Sequence, residues 1–193
     1  MDVRSVQVGR ETVAHAFCRD HRLATIWLLA AVGLLDAVVG VLWAPHQIVL
    51  RGILVAVVVG GWLALTPGHR YGTHLKNLGT ASLFAVGVFV VAPFGLAEVV
   101  PALVFGLLCF ANLTLLTRWH RGLGTEAHGW VVIGVALAVL SFGGSGWYTV
   151  VGIAGLGLGG LALASRWVAG DTRRLLADFV LLAPVLTRVF KFR

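Results

Sequence analysis

The chain has 193 residues, of which 59% are hydrophobic and only 12% charged, with seven histidines, two cysteines and a formal net charge of +7. A soluble domain carries about 25% charged residues, and the mean hydropathy of +0.93 would leave more apolar surface than water tolerates. At roughly 20 residues per membrane-crossing helix, this length predicts an all-α, polytopic transmembrane bundle of about seven helices with almost no soluble domain.

Residues 1–22 form a basic segment with Arg4, Arg10, Arg19 and Arg22, predicted as a cytoplasmic tail or a short helix on the membrane surface. The bundle is predicted over 23–190, followed by a basic tail at 191–193. Span one is expected at Leu23–Trp43. It is longer than a signal-peptide core and reads as a retained first helix. Pro45 and His46 make a turn before span two, Ile48–Leu65. A polar loop with His69, Arg70, His74 and Lys76 precedes span three, Leu78–Ala92, which Pro93 ends. Span four is expected at Val99–Thr117, span five at Trp130–Phe142 and span six at Trp147–Ser165. Span seven, Leu175–Phe190, contains Pro184. With its three flanking basic residues it reads either as a last span or as a helix along the inner interface.

Placing the N-terminus inside puts eleven of the fifteen Lys and Arg residues in inside segments. They lie in the tail, before span three, after span four and before span seven. That bias predicts an N-in orientation and explains the basic net charge through anionic headgroups, not through nucleic acid. The setting this implies is a bacterial inner membrane with a cytoplasmic N-terminus.

Glycine is abundant, at 25 residues. Gly33, Ala37 and Gly40 make a small face on span one, and Gly152, Gly155, Gly157, Gly159 and Gly160 thin span six. Small faces let helices approach closely where lipid removes the hydrophobic drive for association. The run 155–160 follows no strand, which removes a dinucleotide-loop reading. The seven tryptophans fall near predicted span ends, as an interfacial aromatic belt would place them.

Few residues could carry chemistry. Asp36 lies among apolar neighbours in span one, where an acid costs roughly 2.5–3.5 kcal/mol on insertion scales. It reads as a structural hydrogen-bonding group or as a proton, ion or headgroup site. Asn112 within span four is placed to hydrogen-bond across helices. Asp178 follows Arg174 by one helical turn and can pair with it. Lys76 and Asn77 open span three. No histidine pair has metal-ligand spacing, so no metal site is expected. Cys18 and Cys109 read as free thiols. Ser145 has no later histidine to activate it, because His128 is the last, so its Gly-rich surroundings read as a turn.

Several stretches resemble UbiA-type membrane prenyltransferases. His74–Gly79 followed by Leu83–Gly87 is similar to the start of a helix in that family. The segment with His15, Phe17, Arg19, His21 and Arg22 looks like the one after the family's first aspartate motif. Cys109–Trp119 is similar to the helix end that bears the second motif, and Arg173–Pro184 resembles the last helix of UbiA-like proteins. The resemblance implies a helical bundle, with magnesium and a prenyl diphosphate held by two Asp-rich motifs. This sequence departs at both motifs. It begins after the place of the first, which implies two helices fewer. Asn112–His120 contains no acid, and Arg118 and His120 stand there instead.

The leading expectation is therefore a non-catalytic UbiA-like protein: a subunit of a membrane complex, or a binder of an isoprenoid lipid, quinone or pigment. Its expected partners are membrane lipids and other membrane subunits, and its candidate headgroup residues are Asp36, Lys76, Asn77, Asn112, Arg118, His120 and Asp178. A prenyltransferase-like enzyme with a residual or shared site, and a small transporter built around Asp36, are the alternatives.

Overall fold

The computed structural model describes residues 21–65, 73–90, 96–141 and 146–191. Among the described residues the chain forms seven α-helices and no strand. They are α1 (Arg22–Trp43), α2 (His46–Leu65), α3 (Thr73–Phe89), α4 (Leu96–His120), α5 (Glu126–Ser141), α6 (Gly146–Leu163) and α7 (Gly170–Lys191). A short 3-10 turn, Ala164–Arg166, separates the last two.

Each expected apolar segment coincides with one helix. The helices overrun the apolar runs at their polar ends because backbone hydrogen bonding continues until a cap or a turn residue stops it. Thus α3 starts at Thr73, five residues before the first apolar residue of its expected span. The last segment is one continuous helix through the buried Pro184. Cys18, Pro93 and Ser145 lie outside the described residues, as does the side chain of Asp36.

Among the described residues two helical stretches are long and apolar enough to cross a membrane, Ala97–His120 and Gly146–Arg166. At about 1.5 Å per residue they extend about 36 and 31 Å, against a hydrocarbon core of about 30 Å. Shorter apolar stretches lie at Ile26–Leu35, His46–Trp62 and Glu126–Ser141.

Contacts divide the chain into two units, Met1–Val49 and Leu50–Arg193. In the first, α1 is followed by a turn in which the Pro45 carbonyl accepts from the amides of Ile48 and Val49. Position 33 of α1 faces open space, where an added Cβ would meet no atom within 4 Å.

The second unit holds a helical bundle. α3 packs on α4, α5 on α6 and α6 on α7, while α4 also touches α6 and α7 and makes few contacts with α5. Its core follows helical spacing. Ala81, Ala85 and Phe89 recur every four residues on α3, and Val151, Ala154, Leu158 and Ala162 line the inner face of α6. An aromatic group closes the end where α3 finishes and α6 begins. There the rings of Phe89 and Trp147 meet edge to face at 5.7 Å, with Phe105 6.1 Å from Trp147. Trp147, expected in an interfacial belt, is thus a core residue. Trp130 and Trp167 are exposed.

The α5–α6 crossing is made by glycine. A Cβ at Gly159 would meet Ile133 Cγ1 at 2.6 Å and the Gly129 carbonyl at 3.0 Å, and one at Gly155 would meet Ala136 Cβ at 2.8 Å. A Cβ at Gly152 would collide with Leu140. Gly157 instead faces Val180 of α7, and Gly160 faces open space. Three of the five glycines between positions 152 and 160 therefore make the close approach expected of a small face.

Candidate functional site: an apolar groove with a basic end

The polar termini of five helices meet at one end of the bundle, namely the starts of α3, α5 and α7 and the ends of α4 and α6. Hydrogen bonds join them. Arg121 donates to the Thr73 hydroxyl at 2.7 Å. Asn77 Nδ2 donates to Thr117 Oγ1 at 3.3 Å, and the Thr117 hydroxyl donates to the Leu113 carbonyl at 2.7 Å. The Arg174 guanidinium lies 3.3 Å from His120 Nδ1. Arg173 stacks over Trp119 at 5.7 Å.

A buried threonine organises the turn between α4 and α5. Thr125 Oγ1 donates to the Ala162 carbonyl at 2.9 Å and accepts from Trp119 Nε1 at 3.1 Å, with Ser165 Oγ also 3.1 Å away. Its carbonyl accepts the Gly129 amide at 2.8 Å, which starts α5. Gly122 supplies the left-handed backbone, φ 67°, that the reversal needs. The Arg118 Nε donates to the Gly124 carbonyl at 2.9 Å and braces the same turn.

Because α4 and α5 touch little, a groove of about 460 Å³ opens between them. α4 contributes Val104, Leu107 and Thr114, α5 contributes His128, Val131 and Val135, and Gly155 of α6 forms part of the floor. Both walls follow the three- and four-residue spacing of a single helix face. From His128 to Val139 the α5 wall runs about 16 Å at helical rise. Leu107, Val131 and Val135 are themselves exposed, so the groove is open along its side. The lining is apolar except for Thr114 and His128.

His128 marks the polar end, before the apolar run that starts at Trp130. Burial lowers its pKa below the ordinary 6.5, and the positive charges of Arg118 and His74 lower it further. These effects favour the neutral imidazole. The groove holds no paired nucleophile and base. Among the described residues no group of three His, Cys, Asp or Glu side chains could hold a metal ion.

The candidate residues from the sequence separate into groups. Arg118, His120 and Asn77 share the polar end, and Lys76 is exposed beside Asn77. Asp178 is exposed on α7. Asn112 is 2% exposed, but its Oδ1 has no hydrogen-bond partner among the described residues, so the cross-helix bond expected there is absent on that atom. Asn77 makes such a bond instead. Sequence reasoning did not single out His128, Thr114 or Thr125. Ser/Thr at the residue before a helix was the one available signal, and it points to Thr125.

Comparison with protein-family models, with characterised proteins and with solved structures finds no match to this chain.

Proposed function

We propose that this chain is a polytopic membrane protein that binds, and does not chemically transform, a long apolar lipid in the groove between α4 and α5. The observation that carries the reading is the groove itself, about 460 Å³, lined by Val, Leu and Ala and open along one side. A lipid chain can slide into such a slot without leaving the bilayer, and its dispersion contacts replace those it had with other lipids. Isoprenoid lipids, quinones and carotenoid-like pigments share the required shape.

Membrane insertion of all seven helices is part of the proposal. Its support is the outward apolar surface: Leu103, Leu107, Trp130, Val131 and Ile153 are each more than half exposed. In water such a surface would drive association; facing lipid, it costs little. The basic end then faces the cytoplasm by the positive-inside rule, with the N-terminus on the same side, in a bacterial inner membrane. The UbiA-like stretches agree with a bundle that handles isoprenoids. The absence of acids in Asn112–His120 supports binding over magnesium-dependent transfer.

The test is native mass spectrometry of the protein released gently from its own membrane. A retained lipid at one per chain is expected. In Val135→Trp, whose indole fills the groove, retention falls by about tenfold or more, the effect of losing about 1.4 kcal/mol. Lipid-free wild type, or equal retention in the variant, contradicts the reading. A stoichiometric co-purifying protein without lipid would instead assign the chain as a subunit of a membrane complex.

A further inference from the structure

We propose that the groove ends in an anion subsite formed by Arg118 and His128, and that its occupant is an acidic phospholipid whose phosphate sits there. The inference rests on the groove reading above and adds the charge of the headgroup to it.

Geometry carries the first step. His128 lines the groove at its polar end, and a chain lying along Val131 and Val135 brings its headgroup to that imidazole. Thr114 lies on the facing α4 wall. Arg118 stands one helical turn further along the same α4 face, since residues four apart share a face.

Hydrogen bonding carries the second. The Arg118 guanidinium is held by Nε on the Gly124 carbonyl. Among the described residues its two terminal nitrogens carry no hydrogen bond. A guanidinium fixed by Nε with its outer edge open is a preformed fork for two phosphate oxygens. The His128 ring also carries no hydrogen bond among the described residues. The Thr114 hydroxyl, in the groove wall, has none either.

Charge carries the third. Arg118 from α4 and His74 from α3 both place positive field on His128. Glu126 is the one carboxylate on its own turn of α5, and it is exposed. Lys76, His120, Arg121, Arg173 and Arg174 surround the same end of the bundle. The cations at this end outnumber the exposed carboxylates Glu126 and Asp178, and the net repulsion among them is relieved when an anion arrives. A phosphate between Arg118 and His128 removes that repulsion and favours the imidazolium, so binding and protonation of His128 assist each other. A neutral headgroup would leave the guanidinium fork unfilled.

The experiment uses the full chain in phosphatidylcholine nanodiscs, with histidine ring resonances followed by NMR and His128 assigned from His128→Gln. Added phosphatidylglycerol is expected to raise the His128 titration by about one pH unit or more, as a neighbouring opposite charge does. His120, exposed at the same end, reports the general surface potential and should move less. By native mass spectrometry, Arg118→Gln loses about tenfold in phosphatidylglycerol retention, the range of one charge-assisted hydrogen bond, while Lys76→Gln stays within about twofold. Thermal unfolding of Arg118→Gln checks its fold, and His128→Gln, which leaves the Gly124 contact intact, should lose retention as well. Equal shifts at His128 and His120, or retention unchanged in both variants, overturn the subsite. Diacylglycerol retained as strongly as phosphatidylglycerol also overturns it and leaves the apolar groove standing. If neither lipid is retained, the subsite falls, and the groove reading is decided by the lipid retained from the native membrane. If inorganic phosphate alone raises the His128 titration as far as phosphatidylglycerol does, the site serves a free anion, and the lipid assignment is overturned.

Discussion

The indole Nε1 of Trp119 donates to the hydroxyl of Thr125 at 3.1 Å, and this contact ties the last turn of α4 to the start of α5. The same hydroxyl donates onward to the Ala162 carbonyl, so one buried oxygen joins three helices. It fixes the angle at which α5 leaves the loop, and with it the width of the groove between α4 and α5.

Thr125→Val keeps the shape and removes the hydroxyl. Trp119 Nε1 and the Ala162 carbonyl then lose a partner in a buried setting, which costs about 1–3 kcal/mol. A lower unfolding midpoint in detergent is expected. Thr125→Ser, which keeps the oxygen, should recover most of the loss.

The α6 glycines give a paired test. Gly159→Ala places a methyl against Ile133 and the Gly129 carbonyl and should destabilise by about 1–3 kcal/mol, as overpacking does. Gly160→Ala points into open space and should be neutral, or stabilising by up to about 1 kcal/mol from helix propensity. Thermal melts of the two single variants read this directly. Equal effects would contradict the crossing geometry.

Stability should also depend on pH through His128. Burial, then Arg118 and His74, lower its pKa in the folded chain below 6.5. The unfolded chain therefore binds the extra proton more readily, and stability rises with pH across this range. The contribution is complete above the unfolded value of about 6.5 and is lost as pH falls below it. Unfolding midpoints between pH 8 and pH 5 (about the titration range of histidine) should converge toward a flatter profile in His128→Gln.

Cys109 is buried at 2% exposure within the α4 core. Maleimide should label it only after denaturation. Labelling at the rate of an exposed thiol would contradict its place in the buried core.

Much of the bundle was legible in the sequence because apolar runs and loop charges act locally. The seven apolar segments each became a helix, and the basic loops between them converge at one end. What stayed hidden depends on contacts between distant residues. Period alone could not say that Gly155 and Gly159 meet α5 while Gly160 meets nothing. Trp147 sits near a span end, as its interfacial neighbours do, yet Phe89 of α3 and Phe105 of α4 pack against it there. His128 looked like a loop histidine. Its lowered pKa comes first from burial, then from Arg118 ten residues earlier and His74 on another helix, a juxtaposition no motif encodes. Asn112 shows the reverse: a polar residue in an apolar helix suggests a cross-helix bond, but its carbonyl oxygen is buried without one among the described residues.

The most direct measurement is photo-crosslinking in membranes with lipids that carry a diazirine along the chain, followed by peptide mapping. The account predicts adducts concentrated on Val104, Leu107, Val131 and Val135, and lost from these positions in Val135→Trp. Adducts spread evenly over the outward faces of α2, α4 and α7, unaffected by filling the groove, would contradict it.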